Sequence, residues 1–404
     1  LTVARETGLG TLKAIWSKRE TKWFDRLDLD GGPFNIAETA RDTDYEADTF
    51  ELQLSGSTEN MDYVIGYYML EDDAYTSNPQ SYFMGGSAIV QNYSGSGESE
   101  AIFGQFSYRF AEDWSVTLGA RSTEEDKTGF KEYVGIISAS GEGSFDDTTS
   151  TFIIEHDFSE NTNVYFKVAE GFKAGGFNAE SSNPFAASTP YAPETIESTE
   201  LGLKGRYLDN RMMLNVAYFD NEHEDMQISY FNADAAAASE VINNSASISG
   251  LEIESMTMLN DSTVLTLNFS TLDSEFTGNK TAQDGFLLEN IPYSPEKTLY
   301  ASLEKDFGAY RVRLDHTRVD EHPSFPYNSK DFRAVLTNID SNAKTDLLVL
   351  TEPMENLQLN FWVRNLTNEY HQSSAISFGP GFGYLTVGYF DAPRTFGMDL
   401  HYSF

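Results

Sequence analysis

Apolar and polar residues alternate along this chain with a period of two. At the C-terminal end Phe396, Met398, Leu400, Tyr402 and Phe404 alternate with Thr395, Gly397, Asp399, His401 and Ser403. One face is wholly apolar and the other small or polar, as in a strand whose successive side chains point to opposite faces. The pattern returns at Leu357, Leu359, Phe361 and Val363 against Gln358, Asn360, Trp362 and Arg364. It returns again at Ile102, Phe106, Tyr108 and Phe110 against Gln105, Ser107 and Arg109. Trp114, Val116, Leu118 and Ala120 alternate with Ser115, Thr117, Gly119 and Arg121, and Tyr310, Val312 and Leu314 with Arg311, Arg313 and Asp315. A helical period is hard to find anywhere.

Such segments predict about sixteen strands, centred near residues 17, 52, 67, 105, 122, 153, 168, 203, 218, 252, 268, 300, 315, 348, 363 and 400. Short turns at 57–60, 111–113, 159–161, 209–210, 260–262, 308 and 352–356 alternate strictly with long polar stretches. The long stretches fall near 29–46, 76–98, 123–146, 176–196, 221–243, 274–293, 320–342 and 369–394. A soluble sandwich has no reason to make every second connection long. A barrel in an outer membrane does, with short periplasmic turns on one rim and long extracellular loops on the other. In hydrocarbon an unpaired backbone group costs several kcal/mol, so a sheet crosses only when its edges are closed. The expected fold is all-β: an antiparallel transmembrane β-barrel domain over residues 1–404, apolar outward and polar inward. Tyr63, Tyr67, Trp114, Tyr207 and Tyr402, at strand ends, suit interfacial aromatic girdles.

Composition removes other classes. Cysteine is absent from the 404 residues, which excludes disulfides, thiolate metal sites and Cys nucleophiles. No apolar run approaches the roughly eighteen residues of a transmembrane helix. Residues 1–30 lack a basic segment followed by an apolar one, so no signal peptide is visible. That fits either a cytoplasmic protein or a chain whose beginning has been removed. The 63 Asp+Glu against 27 Lys+Arg give a formal net charge of −36, which nucleic acid would repel.

Several segments resemble TonB-dependent receptors, gated outer-membrane transporters for iron–siderophore complexes and other scarce nutrients. Val164 through Asn178, with Gly171-Phe172-Lys173-Ala174-Gly175-Gly176-Phe177-Asn178, resembles that family's GFKxGGFN strand and loop start. Tyr191 through Lys204 is similar to its PE…YELGLK element, and Leu208-Asp209-Asn210-Arg211 to its LDNR turn. Val363-Arg364-Asn365-Leu366-Thr367-Asn368 resembles the penultimate-strand signature. The close of the chain is similar to the family's last strand and assembly signal, carried here by Phe396, Gly397, Tyr402 and Phe404.

The resemblance implies a multi-pass, monomeric protein of the Gram-negative outer membrane, in contact with its lipid and lipopolysaccharide. It also implies active uptake of a ferric siderophore or similar nutrient, energised by the TonB complex. Family barrels have about 22 strands, filled by a plug that follows a TonB box. The expectation is therefore that six strands, the plug and the TonB box precede Leu1, and that residues 9–28 are the seventh strand with one edge free. The alternative is a passive porin, closed by its own sixteen strands.

Catalytic chemistry finds no foothold: G-x-S-x-G, H-E-x-x-H and a phosphate-binding loop are all missing, so no enzyme and no cofactor is expected. His223 and His316 lack metal-ligand spacing. The carboxylates Asp72–Asp73 and Glu124–Glu125–Asp126 belong to solvated outer strand ends, with Ca²⁺ or cation-bridged lipopolysaccharide as the alternative partner. Aromatic side chains offer flat contact area and Arg a planar fork for anionic oxygens. On that chemistry the candidate ligand-binding residues are Phe172, Lys173, Phe177, Tyr191, Phe231, Phe325, Tyr327, Arg333, Phe378, Phe382, Tyr384 and Arg394. The inward cations Lys167, Lys204, Arg206 and Arg364 are expected to face the plug. A soluble acidic all-β adhesin or carbohydrate-active enzyme is the third class, and it fails because its apolar faces would aggregate in water.

Overall fold

The computed structural model describes residues 1–404 apart from 84–85, 182–186, 233–237, 279–287, 328–331 and 379–382; at Ser87, Phe231, Asn232 and Ala238 it describes the backbone alone. In chain order the first strands are β1 (Thr2–Thr7), β2 (Gly10–Asp28), β3 (Ala37–Ser57), β4 (Met61–Tyr82), β5 (Ser87–Ala111), β6 (Trp114–Tyr133) and β7 (Ile137–Ser159). Then come β8 (Thr162–Lys173), β9 (Glu194–Tyr207), β10 (Met212–Asn232), β11 (Ala238–Asn260), β12 (Thr263–Phe276), β13 (Lys297–Asp306) and β14 (Tyr310–Val319). The remainder are β15 (His322–Pro323), helix α1 (Phe332–Thr337), β16 (Asn338–Ile339), β17 (Asn342–Met354), β18 (Leu357–Arg364), β19 (Gln372–Ser377), β20 (Thr386–Phe390) and β21 (Thr395–Tyr402).

Seventeen strands form one sheet, and every pairing in it is antiparallel between chain neighbours. Strands β1 to β14 pair in succession, then β14 with β17, β17 with β18 and β18 with β21. The pairs β15–β16 and β19–β20 are small ladders in the connections. All sixteen strand centres read from the alternation fall inside strands of the large sheet. One correction concerns the start. The edge expected to be free along residues 9–28 is covered at its start, because Thr2–Thr7 folds back on it in register from Thr2↔Ile15 to Thr7↔Gly10, and beyond Trp16 no described strand lies beside it. Six residues with two adjacent charges, Arg5 and Glu6, are too short a run for period-two reading. Among the described residues β21 pairs with β18 alone and β1 with β2 alone.

The apolar residues do not gather in a core. Leu265, Leu303, Leu314, Leu347, Val363 and Phe396 lie in one register row across six strands, all on the same face. That face is bare: Ile102 is 66 % and Phe396 82 % exposed. Its partner in a cell is lipid, and the polar face lines the lumen. The lumen face has its own packing. Trp362 lies over Gly397 across the β18–β21 pair, where a side chain at 397 would collide with the indole. Gly397 in the terminal strand is thus required by its neighbour.

Wall height varies. Strands β2 to β7, β10 and β11 have 19–25 residues, whereas β13, β14, β18 and β21 have 8–10. Crossing takes about ten residues, so the tall strands continue well past the hydrocarbon. Much of the long polar excursions near 76–98, 123–146 and 221–243 is built as such strands. Thr, Ser and Tyr there favour extended backbone even when both faces are wet.

Candidate functional site

The connection from β8 to β9, residues 174–193, forms a strap whose described parts, 174–181 and 187–193, turn inward and tie the tall hairpins together. Its two ends are fixed to β10–β11, where a bulge between His223 and Met226 puts Asp225 in the left-handed region. Gln227 Nε2 donates to Ala174 O (2.9 Å), and Asn243 exchanges bonds of 2.9 and 2.8 Å with the Ala192 backbone. Glu194 accepts the Gln227 amide and sits 3.1 Å from His223 Nδ1.

The middle of the strap keeps contacts to β10–β11 and also reaches β3, β5 and β6. Asn178 pairs with the Val241 backbone through bonds of 2.9 and 2.7 Å. Ser181 donates to Glu240, which also accepts from Tyr230 at 3.2 Å. From β6 the fully buried Lys131 donates to the carbonyls of Ala179 (2.8 Å) and Ser181. Glu180 accepts from Tyr93 (3.1 Å) and ion-pairs with Arg41 (3.5 Å). Gly95, Gly129 and Gly141 share one register row on the lumen face of β5, β6 and β7. Phe177 lies against Gly129, Gly141 and Gly143, in space that side chains there would fill.

Between strap and wall is a cavity of about 320 Å³, lined among others by Asp72, Thr76, Tyr93, Lys127, Phe177 and Tyr191. Burial raises the Tyr191 phenol, and burial with the neighbouring Glu180 raises that of Tyr93, so both are neutral donors. Burial also raises Asp72, with Lys127 opposing. The cavity thus offers flat aromatic surface and phenol donors, with Asp72 and Lys127 also in its lining. A larger cavity of about 670 Å³ lies at the opposite, short-turn rim by Asn163, Lys204, Arg206 and Met213, away from the aromatic cluster. Among the described residues no three His, Asp or Glu could hold a metal ion.

Burial lowers Lys131 to about 8 from 10.5. The undocked strap then binds more protons between those values, so docking gains stability as pH rises from 8 to 10.5 and is weakest below 8. Amide exchange at 178–181, corrected for intrinsic rates, is expected to slow relative to the wall over pH 7.5–9.5. The same slope in Lys131→Met would refute this.

Of the sequence candidates, Phe177 and Tyr191 meet in the cavity and Lys173 stands exposed where the strap leaves β8. Phe172, paired with Thr195, points to the outward face. The side chain of Phe231 and all of Phe382 lie outside the described residues. A second cap over the short strands holds Phe325, Tyr327, Arg333 and Phe378. Arg333 stacks on Tyr327 at 4.2 Å, Phe325 stacks on the same ring at 5.6 Å, and Tyr327, Arg333 and Phe378 are buried. Tyr384 is partly exposed, edge-on to Phe332, and Arg394 donates to Leu366 O at 3.2 Å. Three of the four lumen cations have protein partners: Lys167 faces Glu200 (3.8 Å), Lys204 the Tyr165 ring and Arg364 the Trp362 ring. Sequence reading missed Tyr93, Lys131 and Glu240. The available signal was glycine at alternate positions, Gly95 and Gly97, then Gly141 and Gly143, a small-residue stripe on one face.

Residues 7–366 match the family model described as TonB dependent receptor-like, β-barrel. The chain belongs to this family. As a TonB-dependent receptor barrel it is placed in the Gram-negative outer membrane. Its fold is similar to that of the ferric yersiniabactin uptake receptor FyuA from Yersinia pestis: TM-score 0.80, 17 % identity, 98 % of this chain and 58 % of that one. It is similar also to the copper transporter OprC, with TM-score 0.78, 14 % identity, all of this chain and 64 % of that one. The siderophore receptor PiuA from Acinetobacter baumannii gives 0.71, 14 %, 97 % and 61 %. This TonB-dependent receptor chain thus spans about three fifths of the receptors it resembles.

Proposed function

We propose that this chain forms the wall and ligand vestibule of a monomeric outer-membrane receptor that takes up a ferric siderophore, or a nutrient of similar bulk, with energy from TonB. The observation that carries this reading is the strapped mouth: an aromatic cavity, lined by Phe177, Tyr191 and Tyr93, under a segment fixed at both ends. Of the fold neighbours one is a siderophore receptor by name, one a ferric yersiniabactin uptake receptor and one a copper transporter, so the cargo of this chain rests on the cavity's chemistry. A passive pore would need acidic and basic rows facing each other along its constriction. The strap has a single charged residue, Glu180, and it is held by Arg41 and Tyr93.

The test is uptake of radioactive iron by iron-starved cells carrying the whole receptor, with catecholate, phenolate and hydroxamate siderophores in turn. One of them is expected to support uptake that stops on deletion of TonB or addition of a protonophore. Phe177→Ala with Tyr191→Ala should lower that uptake roughly tenfold or more. Uptake indifferent to TonB, together with free solute leakage through the purified receptor in liposomes, would return the porin reading.

A further inference from the structure

The outward face of β4–β7 carries a second apolar surface that lipid does not explain. Tyr75, Ser94 and Phe130 share one register row. The next row on this face is polar, Ser77, Asn92 and Glu132, and beyond it Val134 donates its amide to Val90 O across neighbouring hairpin tips at 3.0 Å. Tyr75 is 46 %, Val134 51 % and Ile136 77 % exposed. On the same strands the lipid-facing residues end at Met69 and Ile102. Six residues of tilted strand place Tyr75 on the order of 15 Å above Met69.

What lies between is charge. One row runs Glu100, Glu124, Asp146; the next Asp48, Glu71, Glu98, Asp126; above them are Glu46, Asp73 and Glu142. Among the described residues no Lys or Arg of β3–β7 shares that face, and at its β3 end Lys18 of β2 lies beside Glu46 (3.7 Å) and Asp48 (4.0 Å). This belt separates the apolar tips from the membrane. It also disfavours a second copy of the chain, whose own belt would be brought against it. Strands added at β1 or β21 would leave the strip uncovered, since it lies mid-sheet.

We propose that these hairpin tips dock a basic protein outside the cell, its apolar surface on Phe130, Val134 and Ile136 and its Lys and Arg side chains on the carboxylate belt. Exposed apolar patches rimmed by polar residues mark protein contacts, and opposite charge beside them steers the encounter and fixes its orientation.

The test uses the whole receptor in living cells with a photo-crosslinking phenylalanine analogue at residue 136. The adduct is identified by mass spectrometry, and the captured protein is then purified and titrated against the receptor in lipid nanodiscs. The expected result is an adduct with one basic protein. Its affinity should fall about tenfold or more both in Val134→Ser/Ile136→Ser and in Glu98→Gln/Asp126→Asn, and decline with salt in the parent receptor. TonB-dependent uptake by the two variants verifies that they fold. An adduct with the receptor itself, with lipopolysaccharide or with nothing overturns the proposal. So does a captured protein whose binding ignores either double substitution.

Discussion

Arginine in place of Leu314 is expected to cost the folded barrel roughly 2–4 kcal/mol, whereas arginine in place of Asn360 should cost less than about 1 kcal/mol. Leu314 lies between Leu303 and Leu347 in the central apolar row and is 41 % exposed on the lipid face. A guanidinium there must be carried into hydrocarbon or must thin the bilayer around it. Asn360 is on the other face, in the row with Asp399 and Leu350, where water and carboxylates receive a cation. Reversible urea unfolding of the whole receptor from phospholipid vesicles measures both. Equal losses would mean that the two faces are assigned wrongly, and with them the reading of the entire alternation.

Gly141→Val is expected to undock the strap and leave the wall intact. A Cβ at this position would sit 2.6 Å from the Phe177 ring and 2.9 Å from Ser188 O, so both a side chain and the strap backbone must retreat. The retreat breaks a connected set, because Phe177 is followed directly by Asn178, Ala179 and Glu180, which bond to Val241, Lys131, Tyr93 and Arg41. Uptake is expected to fall by about tenfold or more, by analogy with small displacements that spoil positioned binding groups. Proteolysis within 174–192 of the receptor in intact cells should become at least several-fold faster. The heat-modifiable migration that marks a folded barrel should not change. A variant that loses the barrel itself, or one that transports normally, would show that the glycine row does something other than seat the strap.

The wall was legible in the sequence because alternation is a local property. Each strand declares its own faces, and with chain-neighbour pairing no knowledge of distant residues is needed to place Phe396 outward or Arg364 inward. The strand Thr2–Thr7 escaped because six residues give too few periods. The vestibule was harder for a different reason. Period-two reading assigns a residue to the polar face but not to a partner, and Lys131, a charged residue in an extended polar run, looks solvated until Ala179 and Ser181 are placed over it. The aromatic candidates show the same limit. Phe177 and Tyr191 line one cavity and Tyr327 is packed beneath Arg333, whereas Phe172 faces outward in phase with Phe166 and Val168.

The neighbour-to-neighbour order of the sheet separates two timescales of assembly and motion. Most neighbouring strands are joined by short turns, and closure cost grows only slowly with length for the few long connections, so the wall can zip up strand by strand at modest loop-closure cost. The strap depends on contacts such as Tyr93 with Glu180, 87 residues apart in the chain, and it has nothing to bind until the strands that present Tyr93, Lys131 and Glu240 already stand together. The wall is therefore the early, high-stability unit and the mouth a late unit with its own smaller opening free energy. Breaking the strap's few polar contacts leaves every ladder bond of the wall in place, so the entrance can open and reclose many times within the lifetime of a single folded barrel.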